Sequence, residues 1–85
     1  MKDLPPELTG RFDLRVEAQH TAAAMGNTHM EVLATPYVVW MIEAAASRAV
    51  APYLDDGEGA AGTQITLRHL APTAVGRVAI ATIRL

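Results

Sequence analysis

The most regular pattern in the chain is an alternation near its start. Phe12, Leu14, Val16 and Ala18 are separated by Asp13, Arg15 and Glu17. A period of two puts the apolar set on one side of an extended segment and the charges on the other, which predicts a strand with one buried face. The residues before it are polar and include Pro5-Pro6, so 1–10 reads as an extended arm ending at Gly10. After it, 20–31 has no clean period and contains Gly26-Asn27, the composition of a loop with room for a short helical turn.

The next segment is helical. Threonine can accept a hydrogen bond from the free N–H groups of a first turn, and proline fits the first helical position, so Thr35-Pro36 is a start signal. Good helix formers continue through Met41, Glu43 and Ala44–Ala46. Pro52 ends the run, and Asp55-Asp56-Gly57-Glu58-Gly59 makes a solvated turn. The helix is apolar on nearly every side, the pattern of an enclosed helix. Met25, Met30 and Met41 are expected in the core.

Two further strands follow. Thr63, Ile65, Leu67 and His69 share one face of the first. In the second, from Arg77 to Leu85, Val78, Ile80 and Thr82 oppose Ala79, Ala81 and Ile83. The order strand, loop, helix, turn, strand, strand defines an α+β class and a single domain over 1–85. A helix apolar all round needs a curved sheet about it and a cover on its far side. Three strands are too few for both, so the expectation is a domain incomplete at its C-terminus.

Composition narrows the setting. A chain of 85 residues buries only roughly 60–65% of its extended surface, which makes a monomer marginal. There is no cysteine, which excludes disulfides and thiolate metal sites and leaves association with a second copy as the expected added stabilisation. The formal charge is −2 with no Lys/Arg cluster, which argues against nucleic-acid binding. The opening MKDLPPEL lacks the apolar run of a secretion signal, which with the missing cysteines fits a cytoplasmic protein. Val32 to Leu54 is long enough for a bilayer, but Glu43 and Arg48 lie inside it. A charge at mid-membrane costs roughly 2.5–3.5 kcal/mol, so a buried soluble helix is the better reading.

Three residues carry candidate chemistry. The neighbours of Glu43 at helical spacing are Pro36, Val39, Trp40, Ala46, Ser47 and Val50, of which only Ser47 is polar. An ionised carboxylate there is costly unless partnered, although a rim or interface position would make it harmless. His69 falls on the Ile65/Leu67 face. A lone histidine on an apolar face is more often a satisfied core residue than a catalyst, yet a Glu–His pair across a helix–sheet interface can transfer protons near neutral pH. Thr35 is a helix cap first, and its position beside free N–H donors also suits a carbonyl that gains negative charge. The three histidines lack metal-ligand spacing, Gly57-Glu58-Gly59 lacks the Lys-Ser/Thr of a phosphate loop, and Ser47 lacks a nucleophile elbow.

The stretch VLATPYVVWMIEAAASRAVAPYL, followed by GEGAAGTQITLRHLAPTAVGRVAI, resembles the central part of the fluoroacetyl-CoA thioesterase-like family. The likeness lies in the Ala-Thr helix start, a glutamate two turns on, a Gly-Thr strand opening and a His-x-Ala-Pro-Thr strand end, and it covers Phe12 to Leu85. The resemblance implies a hotdog fold, in which a curved antiparallel sheet wraps a long central helix, and a homodimer with sites between the two copies. It further implies hydrolysis of an acyl-CoA thioester without metal or redox cofactor. Thr35, Glu43 and His69 would form the catalytic group, with the backbone at Gly62-Thr63 approaching the acyl carbonyl. The resemblance leaves open whether Glu43 is base or nucleophile. Relatives of the fluoroacetyl-specific enzyme carry phenylalanines before the helix, whereas this chain reads MGNTHMEV there, so selectivity for a fluorinated substrate does not carry over. Two alternatives are a non-catalytic module that binds acyl-CoA or dimerises, and a hotdog hydratase or dehydratase.

Overall fold

The computed structural model describes residues 1–59 and 72–84. In chain order it contains strand β1 (Thr9–Arg15), a 3-10 turn at Ala18–His20, helix α1 (Thr35–Val50), a second 3-10 turn at Ala51–Tyr53 and strand β2 (Val78–Arg84). β1 and β2 pair antiparallel, with Thr9 opposite Arg84 and Arg15 opposite Val78. The expected strand Thr63–His69 lies outside the described residues.

β1 keeps the alternation but sits nearer the N-terminus than expected. Gly10 belongs to the strand rather than closing an arm, because a residue without a side chain can pass directly beneath the helix. A Cβ at Gly10 would collide with the Ala45 carbonyl oxygen and stand 3.0 Å from the Ala49 Cβ. At the other end, Val16 still pairs across the sheet: its N–H donates to the Arg77 carbonyl at 2.8 Å and its carbonyl accepts from the Gly76 N–H at 2.8 Å. The chain then bends, with the His20 N–H on the Glu17 carbonyl, so Ala18 enters the 3-10 turn and is exposed.

The segment expected as a plain loop is a folded excursion. Thr21 bridges to Leu33, and the Ala22 and Ala23 N–H groups donate to the carbonyls of Val32 and Met30. Buried Thr21 is satisfied locally, its hydroxyl donating to the Ala18 carbonyl at 2.7 Å and accepting from the Ala24 N–H at 3.1 Å. The excursion holds Met25 and Met30 at 55% and 45% exposure, against the expectation that they pack in the core. Only Met41 does so, at 2%, with Val16 and Leu33 as buried neighbours and Phe12, Leu14, Tyr37, Val38, Ala79 and Ala81 around them.

Among the described residues the helix is covered on one side only. Residues step about 100° around an α-helix. Met41 and Ala45 mark the buried line, and the half-buried Ala79, Ala81 and Ile83 of β2 face inward, leaving Val78 and Ile80 exposed. Small side chains on β2 therefore let the sheet approach the helix, as Gly10 does on β1. Pro36, Trp40 and Ser47 on the opposite side are exposed, so the helix is not enclosed by the described residues. No helix among them is long and apolar enough to cross a membrane.

Candidate active site

The start of α1 is positioned by backbone bonds from two directions. The Leu33 N–H donates to the Thr73 carbonyl at 2.8 Å, and the Ala34 N–H donates to the His20 carbonyl at 2.9 Å. These bonds hold Ala34 extended (φ −70°, ψ 139°), so it takes the N-cap position. Thr35 is then the first helical residue and Pro36 the second, one step later than a threonine cap requires. The cap reading of Thr35 is thereby corrected: Ala34 holds the N-cap position and brings no side-chain cap of its own, and backbone pairing sets the opening of the helix.

Glu43 lies eight residues after Thr35. That spacing corresponds to about 80° of rotation and about 12 Å of rise, which puts Glu43 opposite the buried Met41/Ala45 line and Thr35 on the flank between the two. Glu43 is half-buried, has Pro36, Val39, Trp40, Ala46 and Ser47 as its neighbours at helical spacing, and makes no ion pair among the described residues. His69, Gly62 and Thr63 lie outside the described residues. Of the proposed site, Thr35 and Glu43 are the described members, both on α1.

A row of rings lies along α1, and the sequence reading did not find it. The His20 ring meets Tyr37 edge-on at 5.0 Å, Tyr37 meets Trp40 at 6.4 Å, and Trp40 meets Phe12 at 5.0 Å. The Arg48 guanidinium closes the row, 4.5 Å from the Phe12 ring centre. The spacing of Tyr37 and Trp40, three apart on a helix, was the available signal. Phe12 and His20 join them only through tertiary packing.

An open cleft of about 480 Å³ runs along the other flank of α1, lined by Leu33, Val38, Met41, Ile42, Thr73 and the inner edge of β2. Neither Thr35 nor Glu43 lines it. Among the described residues no cluster of His, Asp or Glu could hold a metal ion.

With this geometry in hand, the chain can be set beside known proteins. A family model described as fluoroacetyl-CoA-specific thioesterase matches residues 16–85. A fluoroacetyl-CoA thioesterase of Streptantibioticus cattleyicolor is 46% identical over 55 residues, which are 65% of this chain and 40% of that protein. A solved structure of the fluoroacetyl-CoA thioesterase FlK superposes with a TM-score of 0.87 at 31% identity, covering 95% of this chain and 64% of that one. A variant of that enzyme in complex with fluoroacetate and CoA gives 0.80 at 34% identity, over 87% and 64% of the two chains. The chain therefore spans less than two-thirds of the length of these relatives. The likeness makes its architecture an α+β hotdog fold, with α1 as the central helix.

Proposed function

Because the chain belongs to the fluoroacetyl-CoA-specific thioesterase family, we propose that it hydrolyses an acyl-CoA thioester with Glu43, His69 and Thr35 as the reacting group. The observation that carries this reading is a half-buried glutamate on α1, eight residues after Thr35, the spacing that the family resemblance requires. A second observation supports His69. The Thr73 carbonyl holds the Leu33 N–H, two residues before Thr35. Three residues of chain lie between His69 and Thr73, a reach of at most about 14 Å.

In the proposed reaction, Glu43 either takes a proton from the attacking water or attacks the thioester carbonyl itself. The carbonyl oxygen gains negative charge and is held by Thr35 and by backbone N–H donors at Gly62-Thr63. The C–S bond then breaks, the CoA thiolate leaves with a proton relayed through His69, and water supplies the second oxygen of the carboxylic acid. Glycine at position 62 suits this role because a backbone without a side chain can approach the acyl group closely. We place the reaction in a cytoplasmic homodimer, since the hotdog resemblance implies sites between two copies and the chain carries no cysteine.

The test is thiol release from a panel of small acyl-CoA thioesters, comparing the parent chain with Glu43→Gln. Release by the parent and its loss in the variant support hydrolysis at Glu43. A folded parent that binds acyl-CoA and releases no thiol would reduce the chain to a binding module, and hydration of an enoyl-CoA without thiol release would make it a hydratase.

A further inference from the structure

Trp40 combines two properties that are seldom found together on a surface side chain. Its indole is held from two sides, edge-on to Phe12 at 5.0 Å and 81° and to Tyr37 at 6.4 Å and 76°. Both supporting rings are themselves held, Phe12 by the Arg48 guanidinium and Tyr37 by the His20 ring. Yet 49% of the residue remains exposed. A ring fixed in place and left half open is a preorganised contact surface, because little ordering entropy remains to be lost when something packs on it.

Its location says what would pack there. Trp40 precedes Glu43 by three residues, so the two side chains are neighbours on the helix surface, with Cβ atoms about 5–6 Å apart. Pro36, Val39 and Ala46 are further apolar neighbours of Glu43 at helical spacing, with Ser47 the one polar neighbour. A thioester carbonyl placed at Glu43 would send its acyl chain across this surface. A two-carbon acyl group has nothing beyond its α-carbon to span the gap to the indole, whereas a medium-length apolar chain reaches it.

We propose that Trp40 is the specificity-determining residue of the acyl site, and that its indole selects thioesters of medium-chain apolar acids over acetyl-type substrates. This rests on the placement of the reaction at Glu43 proposed above. Each methylene brought from water against the ring adds about two- to fourfold to binding. A chain with several methylenes in contact therefore gains about tenfold or more over a two-carbon group.

The experiment exploits a feature of composition: Trp40 is the single tryptophan, so indole emission reports on this residue alone. The parent chain is titrated with non-hydrolysable ethyl and hexyl thioethers of CoA. The expected result is a saturable emission change with the hexyl compound at about tenfold lower concentration than with the ethyl compound. In parallel, the hexanoyl-to-acetyl ratio of kcat/KM should fall about tenfold in Trp40→Ala and by much less in Trp40→Phe, which keeps an aromatic ring. Emission that stays constant while calorimetry shows the hexyl thioether bound overturns the proposal. So does emission that follows protein concentration and ignores ligand, since a second copy then covers the ring. An unchanged ratio in a folded Trp40→Ala chain also overturns it. If the parent hydrolyses nothing, the reaction at Glu43 fails, but the thioether titration still decides the role of Trp40.

Discussion

Gly10 lies directly under Ala45, so close that a Cβ on the glycine would run into the alanine's carbonyl oxygen. The obstacle is helix backbone, which cannot rotate aside as a side chain does. Gly10→Ala must therefore push β1 and α1 apart, and overpacking of this kind costs about 1–3 kcal/mol. In a domain of this size that corresponds to a loss of about 4–8 °C in Tm per kcal/mol. Gly59→Ala is the control, because a Cβ there meets nothing within 4 Å. Equal melting temperatures for Gly10→Ala and the parent would show that the strand and helix are not packed this tightly in solution.

The methionines give a second stability prediction. Met41 is buried against Val16 and Leu33, while Met25 and Met30 stand in solvent on the excursion before the helix. Met41→Ala should lose about 2–5 kcal/mol, the range for a buried side chain that leaves a cavity. Met25→Ala and Met30→Ala should stay within about 0.5 kcal/mol of the parent. Urea unfolding with a common slope measures all three. A large loss for Met25 or Met30 would mean that a second copy or a bound ligand buries the excursion.

The contrast among these methionines shows where the sequence was legible. Phe12, Leu14 and Val16 announced a half-buried strand because alternation is a local property, and the α1 run announced a helix for the same reason. What could not be read locally is which face tertiary partners cover. Met25 and Met30 have the same hydrophobicity as Met41, but the Ala22–Val32 and Ala23–Met30 hydrogen bonds fold their segment outward. Thr35 looked like a cap because the rule sees one neighbour, Pro36. The bonds that set the true cap at Ala34 come from His20 and Thr73, far away in sequence. The Glu43 position was legible as a charge in an apolar surround, whereas the ring row beside it depends on a strand residue, Phe12, meeting a helix residue, Trp40.

An exposed ion pair on β1 supplies a pH prediction. Arg11 Nε donates to Asp13 Oδ1 at 2.7 Å. This hydrogen bond, reinforced by the opposite charge, holds the Asp13 carboxyl below its ordinary value. A carboxyl depressed on folding stabilises the folded state above its unfolded pKa of about 3.9, and that contribution disappears as pH falls through the lower folded value. Solvent exposure of the pair keeps the effect small and sensitive to salt. An NMR titration of the Asp13 side chain should show a low midpoint in the parent that rises towards the ordinary range in Arg11→Gln. Identical midpoints would mean that the pair does not persist in solution.

Arg48 and Phe12 provide the last prediction, which tests whether the ring row is held together or merely adjacent. Arg48 lies in the last turn of α1, where a cation also favours the negative end of the helix dipole, so a single Arg48→Met change mixes two effects. A double-mutant cycle with Phe12→Leu separates them, since the dipole contribution is present with either residue at position 12 and cancels. The guanidinium stands 4.5 Å from the ring centre at an exposed site, for which a coupling of about 0.5–1 kcal/mol is expected. The same contact limits the movement of Phe12, and Phe12 in turn supports the Trp40 indole. Arg48→Met should therefore lower the time-resolved anisotropy of Trp40 emission while leaving the fold intact. Zero coupling with unchanged anisotropy would mean that Phe12 is held by its strand alone, and that the indole owes its fixed position to Tyr37.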